Sequence, residues 1–350
     1  MSPPPASSDP TISVLLPFWN CRATLRPAVT SILEQTWSDF ELILLDDGST
    51  DGSSELAAAL RDPRIRLISP GGHSGYVKLL NQGIAQSRGE FIARMDADDI
   101  SHPERFTRQV ALLRENPTIG ICGTWARRFK EDQTIGWTRP PTTPAAVASG
   151  AFFECPFVHP TVLTRRAILE KTGLRYDPQK TPAEDYDLWV RLLSITTGAN
   201  LAHVLLDYRL SEKQISQVMT PEKRRVQEEI WRRQVQRLGL EPSAAGWSLH
   251  FNLLRGAWEC TDSFAHAAVE WLVQLAKANQ HHRAFPEETF TAMLAERAFH
   301  VSCVCSRSHF AAWRLFRRSK LSSRLPQARA RLIKLAIRCL LPPRNSVSRS

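Results

Sequence analysis

The stretch Phe91-Ile92-Ala93-Arg94-Met95-Asp96-Ala97-Asp98-Asp99 decides the fold, because a short apolar run passes directly into three carboxylates. The apolar part has the length and composition of a buried strand. Asp96 and Asp98 are two residues apart, so their side chains project to the same side of an extended chain. Such a pair suits Mg²⁺ or Mn²⁺, although a solvated acidic turn is the common alternative. A buried strand end beside carboxylates needs positive charge nearby, which favours the metal.

Earlier apolar runs alternate with stretches of helical spacing. We predict strands at residues 12–16, 41–45, 65–68 and 91–95, and helices at 22–36, 53–60 and 76–86. Pro17 is expected to end the first strand. This alternation predicts an α/β fold with a mainly parallel, Rossmann-like sheet and helices on both faces.

Polar clusters follow three of these strands, at Pro17 to Asn20, Asp46 to Ser53 and Asp96 to Asp98. Ligands of such sheets bind at the carboxyl ends of the strands, so the clusters predict one site. Asp46 or Asp47 is expected to hydrogen-bond a base or ribose, with a turn and helix cap as the alternative. Neither a dinucleotide fingerprint nor a P-loop is present.

A second acidic cluster, Glu184-Asp185-Tyr186-Asp187, begins a predicted helix. Acidic residues in a first turn interact favourably with the helix dipole. A carboxylate at this position could instead act as a general base toward a hydroxyl group. Spacing alone leaves both interpretations open.

The charge of the 350-residue chain is unevenly distributed. Residues 1–216 have a net charge of −2, residues 217–350 a net charge of +12, and residues 301–350 contain 12 basic and no acidic side chains. No run of 18 apolar residues and no signal peptide is evident. The seven cysteines include no C-x-x-C pair, which disfavours a zinc site or disulfide framework. Reduced thiols and a cytoplasmic location are expected.

The basic C-terminal region predicts either a membrane-surface segment or a helix packed on the rest of the chain. Residues 331–341 place Leu332, Leu335 and Cys339 on one stripe among basic residues. Such a segment could lie on an anionic membrane surface, so a peripheral location at the inner face of the membrane is a further expectation. No nucleic-acid recognition motif accompanies the charge, and no specific nucleic acid is expected as a partner.

The order of motifs resembles the family 2 glycosyltransferases of the GT-A fold, in particular bacterial enzymes that build surface polysaccharides. The similar stretches are Ser13 to Asn20, Asp46 to Ser53, Leu80 to Ile84, Gly89 to Asp99, His159 to Thr161, Glu184 to Leu192, and Tyr208-Arg209. The resemblance implies a metal-dependent inverting enzyme that moves a sugar from a nucleotide-sugar, usually a UDP-sugar, to a glycan or lipid-linked acceptor.

The resemblance also implies roles for single residues. Asp185 corresponds to the catalytic base, and Asp98 with Asp96 to the Mn²⁺ or Mg²⁺ site. His159 and Glu184 fall on the acceptor side. The donor-binding positions are Pro17, Asn20, Asp46, Asp47, Lys78 and Asp96.

Two departures and two alternatives remain. His73 stands where relatives commonly have Asn, and Leu210 follows Arg209 where many have His. A sugar-phosphate nucleotidyltransferase would show a Gly-rich loop with Arg after the first strand; a non-catalytic nucleotide-sugar-binding protein is the other alternative. The predicted organisation is a tail at 1–10, a catalytic domain at 11–216 with donor (11–100) and acceptor (101–216) halves, a helical basic region at 217–341 and a tail at 342–350.

Overall fold

The computed structural model describes residues 9–211, 219–305 and 309–325. The chain divides into two compact units between Ile230 and Trp231. This division falls later in the chain than the predicted boundary at 216/217.

Nine strands within the described residues form one sheet. They are β1 (Ile12–Phe18), β2 (Phe40–Asp46), β3 (Ile65–Ile68), β4 (Phe91–Arg94), β5 (Ile100–Ser101), β6 (Ile119–Lys130), β7 (Gln133–Thr138), β8 (Leu163–Arg165) and β9 (Thr197–Arg209). Their order is β3-β2-β1-β4-β8-β6-β9-β5, with β7 on β6. The donor half, from β3 to β4, is parallel, as is β6 with β9, whereas β8, β5 and β7 pair antiparallel. The four predicted strands are all present, and the less regular acceptor half supplies the remaining five.

Helices cover both faces of this sheet, as predicted. They are α1 (Arg22–Leu33), α2 (Ser53–Ala58), α3 (Tyr76–Gln86), α4 (Arg105–Glu115), α5 (Pro144–Gly150), α6 (Arg166–Thr172) and α7 (Glu184–Leu192). An apolar layer lies on each face of the sheet. Alternate residues of β1 pack into one layer or the other, because successive side chains of a strand point to opposite faces. Val14 packs in one layer with Leu25 of α1, and Leu15 packs in the other with Leu80 of α3.

β1 continues through Pro17 to Phe18, so the prediction that Pro17 ends the strand is wrong. Pairing with β4 stops at Leu15, while pairing with β2 continues to Phe18. Leu15 O accepts a hydrogen bond from Met95 N, which identifies the side of β1 that faces β4. Two residues later Pro17 presents its nitrogen on that same side, where no strand of the described residues pairs with it. Its missing N–H therefore costs no ladder hydrogen bond.

The chain after residue 219 is helical throughout its described part. The helices are α8 (Pro221–Gln236), α9 (Ala244–Arg255), α10 (Asp262–His282), α11 (Glu287–Cys305) and α12 (His309–Arg318). Ser243 and Thr261 cap α9 and α10 through their side chains. Helix α8 lies within the helical basic region predicted at 217–341, whereas the basic stripe at 331–341 lies outside the described residues. In the part that the structure describes, no helix is long and apolar enough to cross a membrane.

The strand order reverses direction at β1, which lies between β2 and β4. Ligands of such sheets bind beside this point, at the carboxyl ends of the strands. Trp19 and Asn20 follow β1 at this edge, and the acidic run follows β4.

Candidate active site

The loops after β1 and β2 hold each other in place through Asn20. This residue has a φ of 47° and lies on the surface. Its backbone N–H donates to Ser49 Oγ at 3.1 Å, and its Oδ1 accepts from Thr50 N at 2.8 Å. Asp46, which is buried, accepts from Ser49 N at 3.0 Å and from the Ser54 hydroxyl. These contacts bring the loop after β1 (residues 19–20) and the loop after β2 (residues 46–54) together, and the two loops are called the rim below. Pro17, at the end of β1, is buried.

Asp47 fastens the loop that precedes α3 to the same rim. Its Oδ1 accepts from the backbone N–H groups of Ser74 at 2.8 Å and Gly75 at 3.1 Å. The ring of His73 lies 3.1 Å from the other carboxylate oxygen. Both oxygens of the Asp47 carboxylate therefore have partners within the protein, and Asp47 fixes the loop that carries His73 against the rim. Lys78, one turn further along α3, is exposed, and no ion pair of Lys78 occurs among the described residues.

Trp19 is a surface residue of this rim that the sequence-based predictions missed. Its side chain is 55% exposed, although Trp side chains are on average largely buried in folded proteins. Its ring centroid lies 5.1 Å from that of His73. The sequence did hold an indication of this role, because Trp19 follows β1 directly and lies between Pro17 and Asn20, which were both predicted to bind the donor.

The acidic run divides into three different environments. Asp96 is partly exposed and pairs with Arg94 at 2.5 Å. Asp98 is half-buried, and burial together with the charge of Asp96 raises its pKa to about 6. Asp99 is fully buried; burial and the charges of both neighbours raise its pKa well above the usual range. Arg209 N donates to Asp99 Oδ1 at 2.8 Å, whereas Oδ2 has no hydrogen-bond partner in the described chain.

Three arginines supply positive charge around this run. Arg94 is 4% exposed and lies on β4 itself. Arg105 is completely buried at the start of α4, where burial lowers its pKa to about 9 and its guanidinium donates to Pro160 O at 2.8 Å and Arg94 O at 3.2 Å. Arg209, at the end of β9, donates to Asp98 O at 2.8 Å. These arginines supply part of the positive charge that carboxylates at a buried strand end require. The burial of the acidic run is therefore not by itself evidence for a metal.

The described residues contain no group of three or more His, Cys, Asp or Glu side chains that could hold a metal ion. Asp96 and Asp98 are the two carboxylates of the run that retain some exposure. Protein atoms alone would therefore leave most positions of a divalent cation open, as is usual for Mg²⁺ bound with phosphate groups.

Helix α7 begins with Glu184, which was predicted on the acceptor side, and Asp185, which was predicted as the catalytic base. Asp185 is half-buried; its Oδ1 accepts from Tyr186 N at 2.7 Å and its Oδ2 from the Cys155 thiol at 3.7 Å. Burial raises the pKa of Asp185, and the charge of Lys223 opposes the rise. Glu184 is buried and accepts a hydrogen bond from the Tyr76 hydroxyl. Burial and the charge of Asp185 raise the pKa of Glu184 to about 8.

His159 lies between the two acidic clusters. Its Nε2 shares a hydrogen bond of 2.9 Å with the Tyr176 hydroxyl, and its ring packs edge-on to Trp189. Burial and the charge of Arg94 lower its pKa well below the usual value, so His159 is neutral near pH 7. Burial raises the pKa of Tyr176, and the charges of Asp185 and Asp96 both affect it. Trp189 of α7 packs against His159, and Arg94, the ion-pair partner of Asp96, donates its backbone N–H to Val162 O at 3.0 Å, so residues 159–162 connect the acidic run with α7.

Residues 13–190 match the sequence model of the family described as Glycosyl transferase family 2. The protein EpsE of Bacillus subtilis is 34% identical over 210 residues, which are 58% of this chain and 74% of EpsE. The Escherichia coli protein named UDP-Glc:alpha-D-GlcNAc-diphosphoundecaprenol beta-1,3-glucosyltransferase WfgD is 25% identical over 211 residues, 59% of this chain and 80% of WfgD.

Among solved structures, TarS 1–349 of S. aureus in complex with UDP-GlcNAc is similar in fold. It has a TM-score of 0.56 and 17% identity, covering 89% of this chain and 91% of that chain. The predicted family and its GT-A fold are confirmed. The chain belongs to glycosyltransferase family 2 and is a nucleotide-sugar glycosyltransferase.

Proposed function

We propose that this enzyme transfers a sugar from a UDP-sugar, with inversion, to a hydroxyl group of a glycan or lipid-linked acceptor in surface-polysaccharide synthesis. In one displacement the acceptor oxygen attacks the anomeric carbon, and the bond from that carbon to the diphosphate oxygen breaks. The electron pair leaves with UDP, and the acceptor proton passes to Asp185. The observation that carries the proposal is the link through residues 159–162: Trp189 of α7 packs against His159, and Arg94, the ion-pair partner of Asp96, donates its backbone N–H to Val162 O.

Asp185 is better suited than Glu184 to accept the proton. Glu184 is 5% exposed, and with a pKa of about 8 it already carries a proton at neutral pH. Asp185 keeps some exposure, and its partners are a thiol and a backbone N–H. Asp185 is therefore the base in this proposal, and Glu184 acts as a neutral neighbour that links α7 to Tyr76.

The rim of loops after β1 and β2 is proposed to bind the nucleoside. The exposed face of Trp19 offers a stacking surface for a base, and Asp46 lies at the end of the neighbouring strand. Asn20 and Asp47 keep the rim in shape through their loop hydrogen bonds, and the cationic side chain of Lys78 is free to approach a phosphate. The relatives support a uridine donor, because the WfgD name specifies UDP-Glc and the TarS structure contains UDP-GlcNAc.

The acidic run would supply the protein ligands of a divalent cation that also binds the donor diphosphate. Asp98 and Asp96 would hold it, since they are the two carboxylates of the acidic run that keep some exposure and lie two residues apart. Mn²⁺ or Mg²⁺ bound there would neutralise charge that develops on the departing diphosphate. Asp99 is buried beneath them and bonded to Arg209 N, so its role is to shape the loop.

The basic C-terminal region is proposed to approach an anionic membrane that carries the acceptor. Arg314, Arg318, Lys320 and Arg324 are exposed in the described part of this region. Each basic residue near an anionic surface contributes about 1 kcal/mol. The acceptor named for WfgD is a diphosphoundecaprenol lipid, which supports the proposal. We expect the full chain to sediment with anionic liposomes and a chain ending at residue 320 to sediment less; equal sedimentation would reject the membrane contact.

A panel of nucleotide-sugars tests the proposed reaction. The purified chain is incubated with each donor, with and without Mn²⁺, and released nucleoside diphosphate is measured. We expect release from at least one UDP-sugar, stimulated by the metal and by an added acceptor. No release from any UDP-sugar, together with formation of a UDP-sugar and pyrophosphate from a sugar 1-phosphate and UTP, would favour the nucleotidyltransferase alternative, and binding without turnover would favour the non-catalytic one.

A further inference from the structure

Helix α8 lies beyond residues 13–190, yet it is fastened to the segment that leads into α7. Lys180 and Glu229 form an ion pair at 2.6 Å. Arg225 donates to Gln179 O at 3.3 Å and also pairs with Glu229. Ala183 N in turn donates to Lys180 O at 2.7 Å, one residue before α7 begins. These contacts hold the first turns of α8 beside the first turn of α7.

Lys223 occupies the inner face of α8. Positions 223, 226 and 230 are separated by three and four residues, so their side chains share one side of the helix. Val226 and Ile230 are completely buried on that side. Lys223 is itself half-buried, whereas its chain neighbours Glu222 and Arg224 are exposed. The side chain of Lys223 is therefore directed toward the protein rather than into solvent.

The carboxyl groups of Glu184 and Asp185 are contacted by uncharged side chains from two other elements. From α3 the neighbour is the Tyr76 hydroxyl, and from the segment after α5 it is the Cys155 thiol. Burial and the charge of Asp185 raise the pKa of Cys155 well above its usual value, so the thiol is neutral.

Three further ionisable groups lie near this pair in the described part of the chain. Tyr176 is neutral for the same reason of burial. Asp187, on the same helix, is paired with Arg191 at 2.8 Å. The positive charge of Lys223 lowers the pKa of both Glu184 and Asp185, against the larger effect of burial.

We propose that Lys223 is a positioning residue of the active site, whose side chain faces the Glu184–Asp185 pair and keeps the Asp185 carboxylate free to accept the acceptor proton. A cation beside a buried carboxyl pair favours its charged form, because it offsets both the loss of hydration and the mutual repulsion. The catalytic meaning of this contact rests on the proposed role of Asp185. The inference extends the active site to a helix outside the family-matched residues.

The placement of Lys223 is tested without any activity, through the pH dependence of stability. Removing the cation with Lys223→Met raises the pKa values of both carboxyl groups in the folded chain. The folded state then holds more protons than the unfolded state over a wider range of pH. The free energy of unfolding therefore falls more steeply as the pH rises. Between about pH 5 and pH 8 the melting temperature of the variant should fall by roughly 2–4 °C more than that of wild type. Arg224→Met, at the exposed neighbouring position, should follow wild type.

The role of Lys223 in transfer is tested by the pH–rate profile. At about pH 6 the Lys223→Met enzyme should be roughly tenfold slower than wild type, and at about pH 9 it should be within about twofold, because the base is then ionised in both. Lys223→Arg should restore most of the rate at pH 6, and the KM for the donor should stay unchanged. Profiles of rate and stability that both coincide with wild type overturn the inference. A wild-type chain that transfers no sugar contradicts the proposed function, whereas the stability profile still decides where Lys223 lies.

Discussion

Replacing Glu184 by Gln tests whether this buried side chain carries a proton in the folded enzyme. Its Oε1 accepts a hydrogen bond from Tyr76, and its Oε2 has no hydrogen-bond partner among the described residues. Burial and the charge of Asp185 raise its pKa from 4.5 to about 8. Glutamine has the same shape, is neutral at every pH and can still accept the Tyr76 hydrogen bond, so it reproduces the protonated acid.

The sign and size of the effect follow from this raised pKa. The contribution of Glu184 to the free energy of unfolding is complete below its unfolded pKa of 4.5. It is lost as the pH rises toward the folded pKa of about 8. Over that interval the folded chain holds one more proton, and the free energy of unfolding falls by up to about 1.4 kcal/mol per pH unit. Since Glu184 is only 5% exposed, solvent screening reduces this little. From about pH 5.5 to pH 7.5 the loss is about 2–3 kcal/mol.

Denaturant unfolding across this pH range is the assay. We expect Glu184→Gln to be more stable than wild type at pH 7.5, with a correspondingly flatter dependence on pH between pH 5.5 and 7.5, and to retain most transfer activity at pH 7. Glu115→Gln removes an exposed carboxyl group and serves as the matched control, with a slope equal to that of wild type. If the slope of Glu184→Gln also equals that of wild type, Glu184 is ionised in the folded enzyme and the reasoning about its burial is wrong.

Two further predictions concern the donor side. Asp98→Ala should remove the enhancement of UDP binding by Mn²⁺ in calorimetry, because one of two cation-binding carboxylates is lost; an enhancement equal to wild type would argue against the site. Trp19→Ala should weaken UDP binding by about 10- to 100-fold, since base stacking on an aromatic side chain is worth about 1–3 kcal/mol. Unchanged UDP affinity in that variant would remove Trp19 from the nucleoside site.

Much of the donor half could be predicted because its signals are local. The strands β1 to β4 are short apolar runs, and the acidic run follows β4 without interruption. The error at Pro17 arose because a proline is tolerated where a neighbouring strand has already ended, which depends on the pairing of β4 and not on the sequence of β1.

The charged surroundings of the site were harder to predict, because they arise from contacts across long stretches of chain. Arg94, Arg105 and Arg209 come from three separate elements and become neighbours of the acidic run only in the folded sheet. The Tyr76 hydroxyl and Glu184 are 108 residues apart. Burial then determines that Glu184 is protonated near neutral pH and that His159 is neutral, and neither result follows from spacing along the chain.

The central claim is that Asp185 accepts the proton of the acceptor hydroxyl. Its most direct test compares wild type with Asp185→Asn in two measurements: sugar transfer to an acceptor, and calorimetric binding of UDP with Mn²⁺. We expect transfer to fall by about 100- to 10 000-fold, because a general base contributes that much in typical enzymes. UDP affinity should stay within about twofold, since the proposal places Asp185 on the acceptor side and its hydrogen-bond partners in the described chain are Tyr186 N and the Cys155 thiol. Transfer by Asp185→Asn at the wild-type rate would contradict the account.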